Sequence, residues 1–339
     1  MGSILSCLLT RRSPRPKVLF LTTQPPAEIK AEWPYYQNWF LPELVRKRGA
    51  DVQVRCWRDA ALDAVAVSKY DAVTFLWCNN YHAHPIEFPD FVGRVLIPAQ
   101  EQNPRLDIFN DPATILWNCD KHYLLQLAAA GFVISKSKFI DSSALTYASL
   151  ASAVQDFSDT TAVILKPAIS GSARGQHLIR DPQDFSTEDE AFIDSVVTHG
   201  VNGDLILQEF EESISAGEYS LVFINGRHTH TILKVPHGDY RCQSEYGGSA
   251  EEVSKSDVPQ NARDVAQQIV RYIGAEVSKN DQYYDDEGSP LVYARVDGIM
   301  RGDQFVLMEV EAVEPHLWLE AKSGSLALDE LCNVFFRGK

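Results

Sequence analysis

The chain has no uninterrupted apolar run near the ~18 residues that a membrane-spanning helix requires, so no transmembrane helix is expected. It has no Cys-x-x-Cys spacing. Its six cysteines, Cys7, Cys56, Cys78, Cys119, Cys242 and Cys332, are scattered, which argues against a zinc site or disulfide framework and for reduced thiols. Basic charge is scarce: Lys and Arg total 31 against 46 Asp and Glu, for a net charge of −15. Such a surface repels nucleic acid. No Gly-Lys-Ser/Thr follows the glycines, so the Walker phosphate loop is excluded. Internal repeats are missing too. What remains is 339 residues, 45% apolar and 23% charged, enough for roughly two packed domains.

Residues 1–17 read as a tail. Gly2 and Ser6 fit the N-myristoylation pattern, Cys7 is placed for palmitoylation, and Arg11, Arg12, Arg15 and Lys17 form a basic cluster. Together these signals suffice for peripheral membrane attachment, whereas one acyl chain binds only marginally. A short leader of a cytoplasmic protein is the competing reading.

From residue 18 the pattern alternates. Strands are expected at Val18 to Leu21, Val52 to Trp57 and Asp71 to Trp77. Helices are expected at Tyr35 to Arg48, ending at Gly49, and at Phe88 to Gln102 despite Pro89 and Pro98. This β-α-β order predicts an open α/β domain with a parallel sheet over residues 18–112. Beyond it, Asp120 is read as the cap of a helix through Leu127, and Thr187 with Glu190 as a capping box. Strands are read at Ala162 to Lys166 and Asp204 to Phe210. Hairpins turn at Asn225-Gly226 and near Gly302-Asp303. Helices cover Gln260 to Ile273 and Leu326 to Phe336. Residues 250–260 and 280–290 read as exposed loops.

Three patterns carry chemistry. Lys166 ends a strand and is followed by Pro167-Ala168-Ile169-Ser170-Gly171-Ser172-Ala173-Arg174-Gly175. Small residues let backbone N–H groups approach phosphate oxygens, and the lysine adds charge beside them. Gln208-Glu209-Phe210 ends another strand, where backbone can pair with a purine edge; Glu218, nine residues after Glu209, can accept from ribose hydroxyls. Arg295-Val296-Asp297 and Glu309-Val310-Glu311 lie on paired strands, and i, i+2 spacing places Asp297, Glu309 and Glu311 on one face. Acids crowded on an apolar hairpin call for a hard divalent cation.

In this order the motifs resemble the ATP-grasp superfamily over roughly residues 113–320. The resemblance is to glutathione synthetase and D-alanine–D-alanine ligase, and most to the cyclo-ligase branch of the D-cycloserine pathway. It implies an α/β (α+β) architecture: a pre-ATP-grasp domain at 18–112, then a two-lobed ATP-grasp domain at 113–339 with a lid lobe at about 118–203. It further implies that Lys121 and Lys166 contact nucleotide phosphates and that Gly171, Ser172, Ala173 and Gly175 close over them. Gln208, Glu209 and Phe210 would meet adenine, and Glu218 ribose. Lys234 would face the γ-phosphate, Arg295 the transferring phosphate, and Asp297, Glu309 and Glu311 one or two Mg2+, with Mn2+ as a substitute. The implied activity joins a small-molecule carboxylate to an amine or other nucleophile through an acyl phosphate, in biosynthesis, with a secondary-metabolic role and a homodimer left open. Ring closure within one substrate and a nucleotide-binding scaffold without turnover are the alternatives.

Two departures stand out. Glu311 replaces the family's asparagine, and Glu314-Pro315-His316 replaces a small-residue continuation. Arg241, in Pro236 to Arg241, is a candidate for a substrate carboxylate or phosphate. His82, His84, His228 and His230 read as ordinary polar residues. Trp33, Tyr35, Tyr36, Trp39 and Phe40 read as packing aromatics.

Overall fold

The computed structural model describes residues 15–24, 28, 36–157, 159–278 and 291–336. The tail signals at Gly2, Ser6 and Cys7, the aromatics Trp33 and Tyr35, and the expected 280–290 loop lie outside them. So do the side chains of Tyr36, Trp39 and Phe40.

The first sheet is parallel, in the order β2 (Asp51–Cys56), β1 (Lys17–Thr22), β3 (Ala72–Trp77), β4 (Asp107–Phe109). In β1 every residue from Val18 to Thr22 is buried, as the continuous apolar run of a strand covered on both faces requires. The helix expected from Phe88 is three consecutive segments: Glu87–Phe91, a π-helical turn at Val92–Leu96, and Ile97–Gln102. Pro98 cannot donate to the carbonyl four residues earlier, and the widened turn just before it absorbs that lost bond.

The second sheet is antiparallel: β5 (Ser137–Ile140), β8 (Leu205–Glu209), β6 (Val163–Pro167), β7 (His177–Ile179). Helices Tyr147–Gln155 and Thr187–His199 pack on it around a core of its own, including Leu150, Val163, Leu165, Ile193 and Leu207. The third sheet runs β11 (Ser249–Val253), β10 (Arg227–Val235), β9 (Glu218–Ile224), β12 (Tyr293–Arg301), β13 (Gln304–Glu311). Helix Gln260–Glu276 covers one of its faces through Ala266, Ile269 and Ile273. The last helix, Gly324–Val334, returns to the first sheet, where Phe335 meets Phe20 and Phe109 at 5.3 and 5.7 Å between ring centroids. Among the described residues, no helix is long and apolar enough to cross a membrane.

Several local expectations need correction. Asp120 does not cap a helix: its carboxylate accepts from the His122 backbone, and the helix runs Tyr123–Ala129. The capping box is Ser186 with Asp189, one residue before the expected pair, because both pairs share the i, i+3 spacing and Asp189 also receives His177 at 2.6 Å. Residues 249–253 form the charged edge strand β11 rather than a loop; exposed glutamate is one way such edges resist further pairing. The final helix begins two residues earlier than expected.

Candidate active site

Strands β12 and β13 pair with Arg295 opposite Glu311 and Asp297 opposite Glu309. A register irregularity follows Asp297, and Gly298 there lies so close to Phe305 and the Val306 carbonyl that an added Cβ would fall 2.2 Å from the ring. The hairpin is held from behind by buried amides. Asn118 donates to Val310 O (2.8 Å) and accepts from Ala312 N (2.7 Å), and the Tyr123 hydroxyl accepts from Val310 N (2.9 Å). Asn110 likewise donates to Tyr293 O and Ala312 O, each at 2.8 Å. Fully satisfied buried networks of this kind fix one geometry.

Ligand oxygens of Asp297, Glu309 and Glu311 lie within 4.8 Å of one another. Cations surround them. Arg295 grips Asp297 through Nε and Nη2, each at 2.8 Å, and also pairs with Glu311. Lys234 Nζ sits 2.9 Å from Asp297 and 2.6 Å from Glu218, and Lys121 Nζ 3.2 Å from Glu309. The charges are unevenly compensated. Burial disfavours the Asp297 carboxylate, but Arg295 and Lys234 outweigh it and hold its pKa well below the usual range. Burial, with Glu309 and Asp297 nearby, pushes Glu311 up to about 7 against the pull of Arg295. Burial and Glu311 also raise Glu314 well above an ordinary carboxylate. Positive charge is short at this cluster, and its all-oxygen donor set fits a hard divalent cation.

The second sheet supplies the opposite wall. Lys121 Nζ donates to Ser170 O at 2.7 Å, tying the small-residue loop to the hairpin. Lys166 Nζ donates to Gln208 Oε1 at 2.8 Å; burial, then Lys121, lower its pKa to about 8. Left-handed backbone falls on Ser172 (φ 52°) and Ala173 (φ 54°) rather than on Gly171. Such conformations at non-glycine residues cost on the order of 1–3 kcal/mol and collect at functional loops. Gly171 serves another need: an added Cβ would lie 3.0 Å from the His82 ring.

These walls enclose a cavity of about 600 Å3. Lys121, Lys166, Gly171, Ser172 and Ala173 line it, as do Gln208, Glu209, Phe210 and Glu218. Lys234, Arg241, Arg295 and the three clustered acids complete the expected set. Gly175 does not line it; at φ 70° it turns the chain against Pro167. The N–H groups of Glu209 and Phe210 donate to Lys136 O and Ala162 O. Glu218 is paired with Lys234, and the fork of Arg241 is engaged by Asp239 at 2.8 Å while its face stacks 3.4 Å from the Tyr246 centroid.

The sequence reading missed His82, Glu314 and Trp318, which also line the cavity. Both His82 ring nitrogens are buried without a hydrogen-bond partner among the described residues. Burial, then Arg174 and Lys121, lower its pKa to about 4, so the ring is neutral near pH 7. Only its place just after β3, at the mouth of a parallel sheet, could have signalled this. His230, by contrast, bonds Leu317 O at 2.9 Å and is structural, as expected.

Residues 18–100 match the family described as D-cycloserine synthetase DcsG, N-terminal domain. The chain is similar to the crystal structure of D-cycloserine synthetase DcsG, with TM-score 0.72, 21% identity and coverage of 94% of this chain and 99% of that one. It is also similar to D-alanine–D-alanine ligase from Bacillus anthracis (TM-score 0.62, 12% identity, coverage 96% and 98%). A third likeness is to a RimK domain ATP-grasp protein from Sphaerobacter thermophilus (TM-score 0.60, 14% identity, coverage 94% and 97%). No curated protein sequence matches significantly. The chain therefore has the ATP-grasp fold, with an N-terminal region that matches the D-cycloserine synthetase type.

Proposed function

We propose that the protein is an ATP-dependent ligase that joins the carboxylate of an amino acid or similar small metabolite to an amine through an acyl phosphate. The observation that carries this reading is the convergence of Lys121, Lys166, Lys234 and Arg295 with three clustered carboxylates on one cavity. Phosphoryl transfer asks a protein for positioning and charge neutralisation more than for side-chain chemistry.

The substrate carboxylate attacks the γ-phosphorus of ATP and ADP departs. The neutral amine then attacks the acyl carbon, phosphate leaves with the bonding electrons of the C–O bond, and the proton shed by the nitrogen goes to the departing phosphate or to water. Lys166 and Lys121 hold the phosphates beneath the Ser170–Ala173 loop. Arg295 and Lys234, already set against Asp297, meet the charge that develops during transfer. Asp297, Glu309 and Glu311 would hold Mg2+, which supplies charge neutralisation at the phosphate oxygens. Because the N–H groups of Glu209 and Phe210 are engaged within the protein, carbonyl groups of this segment read the purine. Domain limits at 18–112 and 113–339, with the lid lobe inside the second, belong to this proposal. So does membrane attachment through Gly2 and Cys7, which fails if the protein is wholly soluble in its native cell.

The test is ADP release from Mg-ATP across a panel of amino acids and their D-enantiomers. No stimulation by any member would refute the reading. A second reading, ring closure within one substrate, is favoured by the match of residues 18–100 to the D-cycloserine synthetase domain. Product mass separates the two: one substrate less water for ring closure, two substrates less water for ligation.

A further inference from the structure

We infer that Glu314 is the seat of the acceptor substrate's cationic amine. The inference rests on the ligase reading above and names which side of the cavity takes which charge.

Most ionisable groups of the cavity are already matched. Lys121 pairs with Glu309, Lys234 with Glu218 and Asp297, Arg295 with Asp297 and Glu311, and Arg241 with Asp239. Among the described residues, three partly buried ionisable side chains lining the cavity have no ion-pair partner: Lys166, Glu209 and Glu314. Lys166 and Glu209 belong to the second sheet, on the side of the small-residue loop, and the charge of Glu209 helps to raise the pKa of Arg301. Glu314 alone stands on the other side. It follows Val313, which is buried in the core of the first sheet, and its charge is felt by Cys78, Tyr81 and Cys119.

A carboxylate held from water without an ion-pair partner is costly, and the more distant pull of Arg295 offsets only part of that cost. A docked primary ammonium removes that cost, and a second phosphate-bearing or carboxylate ligand would add to it. The acceptor of C–N bond formation arrives as an ammonium and must give up one proton before it attacks as the neutral amine; a carboxylate at its seat can take that proton. The amine must also reach the acyl carbon, which forms beside Arg295 and the clustered acids; Glu314 is three residues beyond Glu311 on the same segment. On this reading the unpaired lysine belongs to the triphosphate and the unpaired glutamate to the amine.

The experiment compares two nucleophiles in one variant. Proteinogenic and D-amino acids serve as acid and amine, and hydroxylamine, neutral near pH 7, serves as a trap that captures the acyl phosphate as a hydroxamate. Glu314→Gln should lower hydroxamate formation much less than it lowers ligation to the amine. Ligation to the amine should fall roughly 10- to 100-fold through a raised KM for the amine, the scale of a lost charge-assisted hydrogen bond. Glu314→Asp should give an intermediate KM, and it replaces the first variant if Glu314→Gln does not fold. An unchanged amine KM, or equal losses with both nucleophiles, would overturn the inference. So would a wild-type enzyme that makes hydroxamate yet couples no amine. Failure of the wild type to make any hydroxamate would instead refute the ligase reading itself.

Discussion

Replacing Lys166 with Met should stabilise the ligand-free protein while crippling the reaction. The ammonium is buried against a neutral amide, and its pKa falls from 10.5 to about 8. That drop corresponds to about 3 kcal/mol of penalty on the charged form. Losing the bond to Gln208 returns about 1–2 kcal/mol of it, since an amide oxygen is left without its donor. A net gain of about 1–2 kcal/mol should raise the melting temperature by a few degrees near pH 7. The sign with pH follows from linkage. The folded-state pKa lies below the unfolded value, so the penalty is full below pH 8 and fades as pH rises toward 10.5. Wild type should therefore gain on the variant across that window. Turnover should drop on the order of 100-fold or more, the scale for removing a preorganised charge from a closed site. The melting shift produced by Mg-ATP should shrink, because ligand stabilises only through affinity for the folded state. Wild-type turnover with an unchanged ligand shift would remove Lys166 from the site. A lower ligand-free melting temperature would make it a structural lysine.

Asn118→Ala should cost about 1–3 kcal/mol in urea unfolding, because the Ala312 N–H loses its buried acceptor, and should depress activity through the hairpin it braces. Gly298→Ala should destabilise by about 1–3 kcal/mol or more, since the new Cβ meets both a ring and a backbone oxygen at 2.6 Å; a neutral result would mean the strand yields more readily than close packing implies. Glu309→Gln combined with Glu311→Gln should abolish ADP release at every Mg2+ concentration while circular dichroism stays native. Wild-type release in that double variant would refute the metal assignment.

The cavity's chemistry was legible wherever period and residue type coincide. Asp297, Glu309 and Glu311 announce one strand face by their spacing, and the structure brings their oxygens together. Lys166 announces itself by ending an apolar strand. Long-range pairing left no such trace. That Lys234 would reach both Glu218 and Asp297 depends on which strands become neighbours. His82 was invisible for the same reason: nothing local distinguishes it from His84, yet His82 meets the small-residue loop across the cavity at Gly171. Short elements such as β4 and β7 were missed because three residues give no period to read. The capping box slipped by one residue because Ser186 and Thr187 offer equal local chemistry, and the choice is made by His177 from another strand.

The second sheet begins and ends on adjacent antiparallel strands, Ser137 opposite Gln208, and encloses a core of its own among the described residues. The chain enters and leaves this lobe at one doorway. By contrast the last helix is sewn into the first sheet, so the two ends of the described chain stand or fall together. Opening free energies should differ accordingly. Amides of residues 137–209 should exchange with deuterium as one cooperative class, at lower cost than those of β1, β9 and β12. If the cavity takes nucleotide as proposed, Mg-ATP should slow that class selectively by bridging the doorway. A protease trapping the opened lobe would cut between Ile140 and Leu205 first, leaving a nicked molecule whose remaining sheets still hold together.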